Sequence, residues 1–172
     1  MIGTDRLLTE IEGRRDDVTA LTGDLIRFPS VNPPGTHYRD ICEYLAARLE
    51  RRGFDISFVR AEGKPGDSDK YPRWNIVARR EGAGPGECVH FNSHIDVVET
   101  GSGWTVDPFG GEVRDGRVYG RGACDMKGGL AASIVAAEAF IDLNPGFAGA
   151  IEISGTADEE TGGYGGVAYL AE

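Results

Sequence analysis

Hydrophobic residues recur along the chain with two different periods, and the period changes several times. A spacing of three to four residues, with polar residues between, is typical of helices that bury one face. An alternating or continuous hydrophobic pattern over a shorter run is typical of strands. The predicted helices cover residues 6–28, 36–49 and 127–143, with a fourth beginning at 163, and the predicted strands cover residues 54–60, 74–79, 88–93 and 150–156.

Prolines and glycines mark the connections between these segments. Residues 29–35 contain three prolines and predict a rigid loop, and the Asp115-Gly116 pair between Val113 and Val118 predicts a β-hairpin. The order of the elements predicts an α/β fold: a mixed, mostly parallel sheet with helices on both faces. Because no internal repeat or linker is visible, we expect residues 1–172 to form one domain.

Composition and charge restrict the classes of partner. The chain has 40% hydrophobic residues and a formal net charge of −10, without a basic patch for nucleic acid or anionic lipid. No apolar run approaches the roughly 20 residues of a membrane helix, and the N-terminus lacks a signal peptide's apolar region. We therefore expect a cytoplasmic protein that binds neither nucleic acid nor a membrane. Cys42, Cys88 and Cys124 are widely spaced, so they predict neither a disulfide framework nor a structural zinc knuckle.

A histidine and an acid close one predicted strand. His94 and Asp96 are two residues apart, so an extended backbone points both to the same side. A metal-bound histidine usually donates its second ring N–H to a carboxylate or carbonyl, and Asp96 is placed for that role. The alternative is an ordinary ion pair at a strand end. His90 lies four strand residues from His94, roughly 13 Å away, so a shared metal is excluded unless the strand bends, and a core histidine is predicted. His37 remains a ligand candidate in principle.

Three further acids occur where a sheet or turn gives way to a helix. Asp125 lies between a glycine-rich turn and the first turn of the 127–143 helix, where its carboxylate could bridge two metals or simply cap the helix. Glu159 and Glu160 follow a predicted buried strand directly. Adjacent acids repel each other, and a cation that neutralises one while the other holds a proton would relieve this repulsion. The alternative is a solvated acidic turn.

These residues also carry a resemblance to a known family. The motifs are His94-Ile95-Asp96, Trp104 with residues 107–109, residues 119–129, and residues 158–163, together with the proline-rich loop 29–35. In this order they resemble the M20 metallopeptidase family, most closely its acetylornithine deacetylase and succinyl-diaminopimelate desuccinylase branch. The resemblance implies a zinc-exopeptidase-like catalytic domain.

The resemblance also implies roles for individual residues. His94 would bind one metal, Asp125 would bridge both and Glu160 would bind the second; Glu159 would be the general base and Asp96 would orient His94. The Asp125–Met126 peptide bond is expected to be cis. Two zinc ions are expected, although cobalt or manganese also suits imidazole and carboxylate ligands.

The resemblance further implies parts that these residues do not include. Family members have another acidic ligand, a C-terminal histidine and an inserted lid and dimerisation domain. The helical pattern also reaches Glu172 without a cap. We therefore expect residues 1–172 to be the N-terminal part of one metallohydrolase catalytic domain, and the full-length protein to be a homodimer.

The expected activity is metal-dependent hydrolysis of the amide bond of an N-acyl amino acid, of the deacetylase or desuccinylase type. A water activated by two metals would attack the carbonyl, and Glu159 would take its proton. One alternative is a carboxypeptidase or dipeptidase of the same family, acting on a small peptide. Another is a non-catalytic fragment without a complete metal site, and the 172-residue chain alone is expected to be inactive.

Overall fold

A computed structural model describes residues 3–172. The helices are α1 (Thr4–Gly13), α2 (Arg15–Ile26), α3 (Tyr38–Glu50), α4 (Gly128–Leu143) and α5 (Val167–Leu170). The strands are β1 (Asp55–Arg60), β2 (Trp74–Glu81), β3 (Gly84–His94), β4 (Glu112–Arg114), β5 (Arg117–Tyr119) and β6 (Ala148–Thr156). Each predicted segment is found, but the first predicted helix is divided in two because Arg14 leaves the helical conformation, with φ −100° and ψ 16°.

The main sheet has four strands in the order β1-β2-β6-β3. The predicted α/β class with a mixed sheet is confirmed, but the sheet is not mostly parallel. β1 pairs with β2, and β2 with β6, in antiparallel fashion, whereas only β3 and β6 are parallel. The connections explain the difference, since a parallel pair needs a long crossover and only the β3-to-β6 connection contains a helix, α4.

β6 lies between two strands that are neighbours in the sequence. β2 and β3 are joined only by Gly82 and Ala83, and this connection crosses the start of β6: Gly82 N donates to Gly149 O at 2.7 Å and Ala83 N to Phe147 O at 2.7 Å. The crossing requires glycine, because a Cβ at Gly82 would overlap the backbone oxygen of Phe147.

One face of the sheet carries the hydrophobic core. Side chains of α2, α3 and α4 pack there against Ile76, Ala78, Ile151 and Ile153. Helices were predicted on both faces, but among residues 3–172 all four long helices lie on this one. The opposite face is polar and carries Arg79, Glu152, Ser154 and His90, since alternate residues of a strand point to opposite sides.

The prediction that His90 is a core histidine is wrong. Its side chain is 45% exposed on the polar face, where its Nε2 lies 2.9 Å from Ser154 Oγ. It shares a strand face with His94, but the strand does not bend to bring the two rings to one place.

The predicted hairpin is confirmed as β4 and β5. Asp115 and Gly116 adopt φ of 53° and 71°, and Val113 pairs with Val118. This left-handed pair is the turn that a two-residue hairpin favours.

Within residues 3–172, every helix is too short or too polar to cross a bilayer.

Candidate metal centre

The candidate site forms where β3 and β6 end. Because the two strands are parallel, with His94 paired with Thr156, their carboxyl ends meet at one edge of the sheet. His94 is the last residue of β3, and Glu159 and Glu160 begin a single 3₁₀ turn just after β6. One potential ligand atom from each of these three residues lies within 4.8 Å of the other two. The structure thus brings together residues that the sequence separates by more than 60 positions.

Asp125 reaches the same place from the turn before α4. Its backbone leaves the helical conformation, with φ −125° and ψ 101°, and the Asp125–Met126 peptide bond is cis, which confirms that expectation. Asp125 Oδ1 lies 3.0 Å from His94 Nε2, and 78% of the Asp125 side chain is exposed. The carboxylate therefore faces both the imidazole and the open side of the site.

The orientation of the His94 ring is fixed by contacts of its Nδ1 with Asp96. Its Nδ1 lies 3.0 Å from the backbone oxygen of Asp96 and 3.5 Å from Asp96 Oδ1, and its side chain is only 5% exposed. With Nδ1 held, Nε2 is directed at the carboxylates of Asp125 and Glu159. Burial alone would lower the pKa of His94, but hydrogen bonds to Asp96 and Asp125 raise that pKa to about 9.

Asp96 contacts the acidic turn as well as His94. It is fully buried, and its two carboxylate oxygens accept the backbone N–H groups of Glu159 at 3.3 Å and Glu160 at 3.2 Å. The acidic turn is therefore held by the residue that also holds the histidine. This second role has no local signature in the sequence, since Asp96 and Glu160 lie 64 positions apart.

Sequence reasoning missed a buried ion pair beside the acidic turn. Arg73 Nε lies 2.8 Å from Asp158 Oδ1, with both side chains less than 5% exposed, and Tyr38 Oη donates to the same oxygen at 3.2 Å. Burial raises the pKa of Asp158, and the charge of Arg73 opposes that rise. Asp158 itself adopts a left-handed φ of 63°, so the pair fixes the backbone at the point where the acidic turn begins.

Lys127 is also buried near the site. Its ammonium donates to Phe28 O at 2.7 Å. Burial lowers its pKa to about 7, against the opposing charge of Asp96. His37, a ligand candidate from the sequence, is exposed and its Nδ1 lies 2.7 Å from Asp40 Oδ2, so the structure does not bring it to the candidate site.

The charge and chemistry of the site fit a bound cation. Burial raises the pKa of Glu160; His94 opposes that rise, whereas Asp96, Asp125 and Glu159 add to it. Four carboxylates thus surround one imidazole, and a cation would relieve their repulsion. Imidazole nitrogen with carboxylate oxygen is a donor set that zinc, cobalt and manganese accept. The residues present therefore fit a metal.

Comparison with known proteins finds relatives similar in sequence and in structure. Residues 90–172 match the sequence profile described as Peptidase family M20/M25/M40. The chain is 44% identical over 146 residues to succinyl-diaminopimelate desuccinylase from Rhodospirillum centenum, covering 84% of this chain and 36% of that protein. It is 41% identical over 160 residues to succinyl-diaminopimelate desuccinylase from Acinetobacter baylyi, covering 92% of this chain and 39% of that protein.

Among solved structures, human carnosine dipeptidase 1 superposes with a TM-score of 0.78 at 26% sequence identity, covering 94% of this chain and 36% of that one. The chain thus spans well under half the length of the proteins that it matches. The family profile begins at His90, so it includes all five predicted site residues: His94, Asp96, Asp125, Glu159 and Glu160. Over residues 90–172 the chain is thus similar to members of peptidase family M20/M25/M40.

Proposed function

We propose that the complete protein is a metal-dependent hydrolase that cleaves the amide bond of an N-acyl amino acid, with N-succinyl amino acids as the first substrate class to test. The observation that carries the proposal is the convergence of His94, Glu159 and Glu160 at the ends of two parallel strands, within 4.8 Å of one another. Identities of 41–44% to two proteins named desuccinylases support the choice of acyl group.

Each site residue has a proposed task. His94 would hold one metal, Glu160 the second, and Asp125 both, since one carboxylate can bridge two ions. When bound, two such ions would supply Lewis-acid chemistry that polarises an amide carbonyl and acidifies water. Asp96 keeps His94 Nε2 and the acidic turn directed at the same space.

Glu159 is proposed as the general base. Its Oε2 lies 3.7 Å from His94 Nε2 and its side chain is 55% exposed, so it borders the metal centre and is accessible to water and substrate. It would accept a proton from the attacking water and deliver that proton to the leaving amine. A partly exposed carboxylate suits both steps because both the attacking water and the leaving amine can reach it.

The proposal also covers the metal, the cellular compartment, the assembly and the partners of the protein. Zinc is the proposed metal, the cytoplasm the proposed compartment and a homodimer the proposed assembly, with small acylated amino acids or peptides as the partners rather than nucleic acid or membranes. The formal charge of −10 supports the exclusion of polyanionic partners.

The test is an assay of the complete protein, loaded with zinc, against N-succinyl amino acids, N-acetyl amino acids and dipeptides. Hydrolysis of the N-acyl substrates that stops after chelation and returns with zinc is the expected result. Cleavage of dipeptides alone would favour the second candidate, a dipeptidase, which the structural similarity to human carnosine dipeptidase 1 supports. No hydrolysis in any class, with the metal bound, would refute the proposal.

A further inference from the structure

Asn32 lies behind the metal centre, in the proline-rich loop that joins α2 to α3. The loop is tied to the segment that follows β3: Ser30 Oγ donates to Ile95 O at 2.6 Å, and Asn32 N donates to Val97 O at 2.9 Å. Asn32 itself is completely buried. The backbone therefore fixes the Asn32 side chain next to Asp96.

The amide nitrogen of Asn32 lies among three acceptors. It is 2.9 Å from Asp96 Oδ2, 3.2 Å from Asp158 Oδ1 and 2.9 Å from Thr161 Oγ. Its amide oxygen has no hydrogen-bond partner among residues 3–172. Rotating the amide would place that oxygen against two carboxylates, so this position requires the two N–H donors and tolerates an unpaired acceptor.

The two carboxylates that share Asn32 flank the acidic turn. Asp96 accepts the N–H groups of Glu159 and Glu160, and Asp158 immediately precedes Glu159. Two buried carboxylates this close repel each other, and Arg73 neutralises only Asp158. The Asn32 amide supplies donors between them without adding a further charge.

We propose that Asn32 is a positioning residue for the metal centre, which acts through Asp96 to hold the Glu159–Glu160 turn against His94. The expected effect of Asn32 on the catalytic rate rests on the proposed function. Its expected effect on the position of Glu159 and Glu160 does not. Asn32 has no exposed surface and is not a proposed metal ligand, so we expect its loss to change kcat and metal affinity more than KM.

The first test uses Asn32→Ala and Asn32→Asp in the complete protein. Loss of a group that orients ligands typically lowers metal affinity or activity by roughly 10- to 100-fold. We expect a loss of that size in zinc affinity, measured by competition with a chromophoric chelator, and in kcat, with KM changed less than about threefold. Asn32→Asp places a third carboxylate in the cluster and has the larger effect; Asn32→Ala adds no charge and serves if Asn32→Asp does not fold.

Asn144→Asp is the matched control. It makes the same chemical change at the end of α4, where the Asn144 amide contacts only Phe140 O. It lowers thermal stability but leaves zinc affinity and kcat unchanged. If Asn32→Ala behaved like this control, with lower stability but unchanged zinc affinity, Asn32 would be merely structural and the inference would be wrong.

A double-mutant cycle with Asp96→Asn tests the pathway. If Asn32 acts through Asp96, Asn32→Ala has a much smaller effect on zinc affinity in the Asp96→Asn background, and additive effects would contradict the inference.

Amide hydrogen exchange at Glu159 and Glu160 gives a readout without metal or substrate: Asn32→Ala accelerates it and Asn144→Asp does not. If the parent protein hydrolysed none of the substrates but Asn32→Ala still accelerated this exchange, the proposed function would be refuted and this inference supported.

Discussion

At the scale of single residues, His94 and Glu159 differ in how freely they can move. His94 is held by Asp96 on one ring nitrogen and is almost fully buried, whereas the Glu159 side chain is 55% exposed and its nearest charged contact is His94 Nε2 at 3.7 Å. A fixed imidazole suits a metal ligand, and an exposed carboxylate suits proton transfer. The two roles can therefore be separated by substitution.

Glu159→Gln keeps the shape of the side chain but removes its ability to accept a proton. In the complete protein we expect kcat to fall by roughly 10²- to 10⁴-fold, because general-base catalysis contributes about that much. Metal content, measured by elemental analysis, stays at the parent value. Glu62→Gln, in the exposed loop after β1, is the matched control, and an unchanged rate for Glu159→Gln would remove Glu159 from the role of base.

Asp125→Ala removes the carboxylate proposed to serve both metals. We expect both ions to be lost on dialysis, because each would be left with fewer protein ligands than the three that catalytic zinc usually has. Metal stoichiometry is the measurement, and Asp69→Ala, at a fully exposed carboxylate, is the control. Retention of two ions per chain by Asp125→Ala would contradict the bridging role.

The residues that the sequence identified share one property. His94, Asp125, Glu159 and Glu160 each stand next to a strand end or a glycine-rich turn, so a local pattern reveals them. Asn32 and Arg73 escaped detection because their partners, Asp96 and Asp158, are 64 and 85 positions away. Nothing in a short window of sequence distinguishes an arginine that precedes a strand from one that forms a buried ion pair.

At the scale of elements, the ion pair between Arg73 and Asp158 joins the start of β2 to the turn after β6. The Arg73 guanidinium also donates to Pro34 O at 2.7 Å. Gly35 and Gly66 lie so close to the guanidinium that a Cβ at either position would overlap with it. Three loops therefore meet at one buried charge.

Arg73→Met would leave Asp158 buried without its partner. Breaking a buried pair from one side typically costs about 3–5 kcal/mol, and we expect the free energy of unfolding of the complete protein to fall by about that amount in urea titrations. Arg79→Met changes a 42% exposed arginine of β2 and should alter stability by about 0.5 kcal/mol or less. Equal effects of the two substitutions would mean that the buried pair contributes little.

The elements themselves were largely predictable, and their arrangement was not. Alternating residues such as Ile56 and Phe58 reveal a strand because only one face of it is buried. The pairing of that strand depends on contacts with residues far along the chain, and neither the position of β6 nor the mainly antiparallel pairing could be read locally. The non-helical backbone of Asp125, with φ −125° and ψ 101°, was likewise visible only in three dimensions.

At the scale of the whole molecule, one edge of the sheet stands out. β3 is an edge strand among the described residues, and Val89 on it is 56% exposed. Beside it, Leu7, Phe91 and Phe140 help to line an apolar cavity of about 240 Å³. An unpaired edge next to apolar surface favours association with other chains.

We therefore expect the 172-residue chain, expressed alone, to bind zinc weakly, to hydrolyse no N-acyl amino acid at a measurable rate and to aggregate. Only His94, Asp125 and Glu160 are available as proposed ligands, so each of two metals has two even when Asp125 is counted twice. Light scattering, zinc titration and an assay of N-succinyl and N-acetyl amino acids are the measurements, with the complete protein as reference. Robust hydrolysis by the 172-residue chain would show that the ligands are misassigned.

The position of β6 also couples the order of the sheet to the candidate site. β2 and β3 are antiparallel and joined by two residues, so the simplest local pairing would be a hairpin between them. In the native sheet β6 lies between the two strands, which excludes that pairing. Because pairing of β6 with β3 brings Glu159 and Glu160 to His94, the candidate site is incompatible with a β2–β3 hairpin.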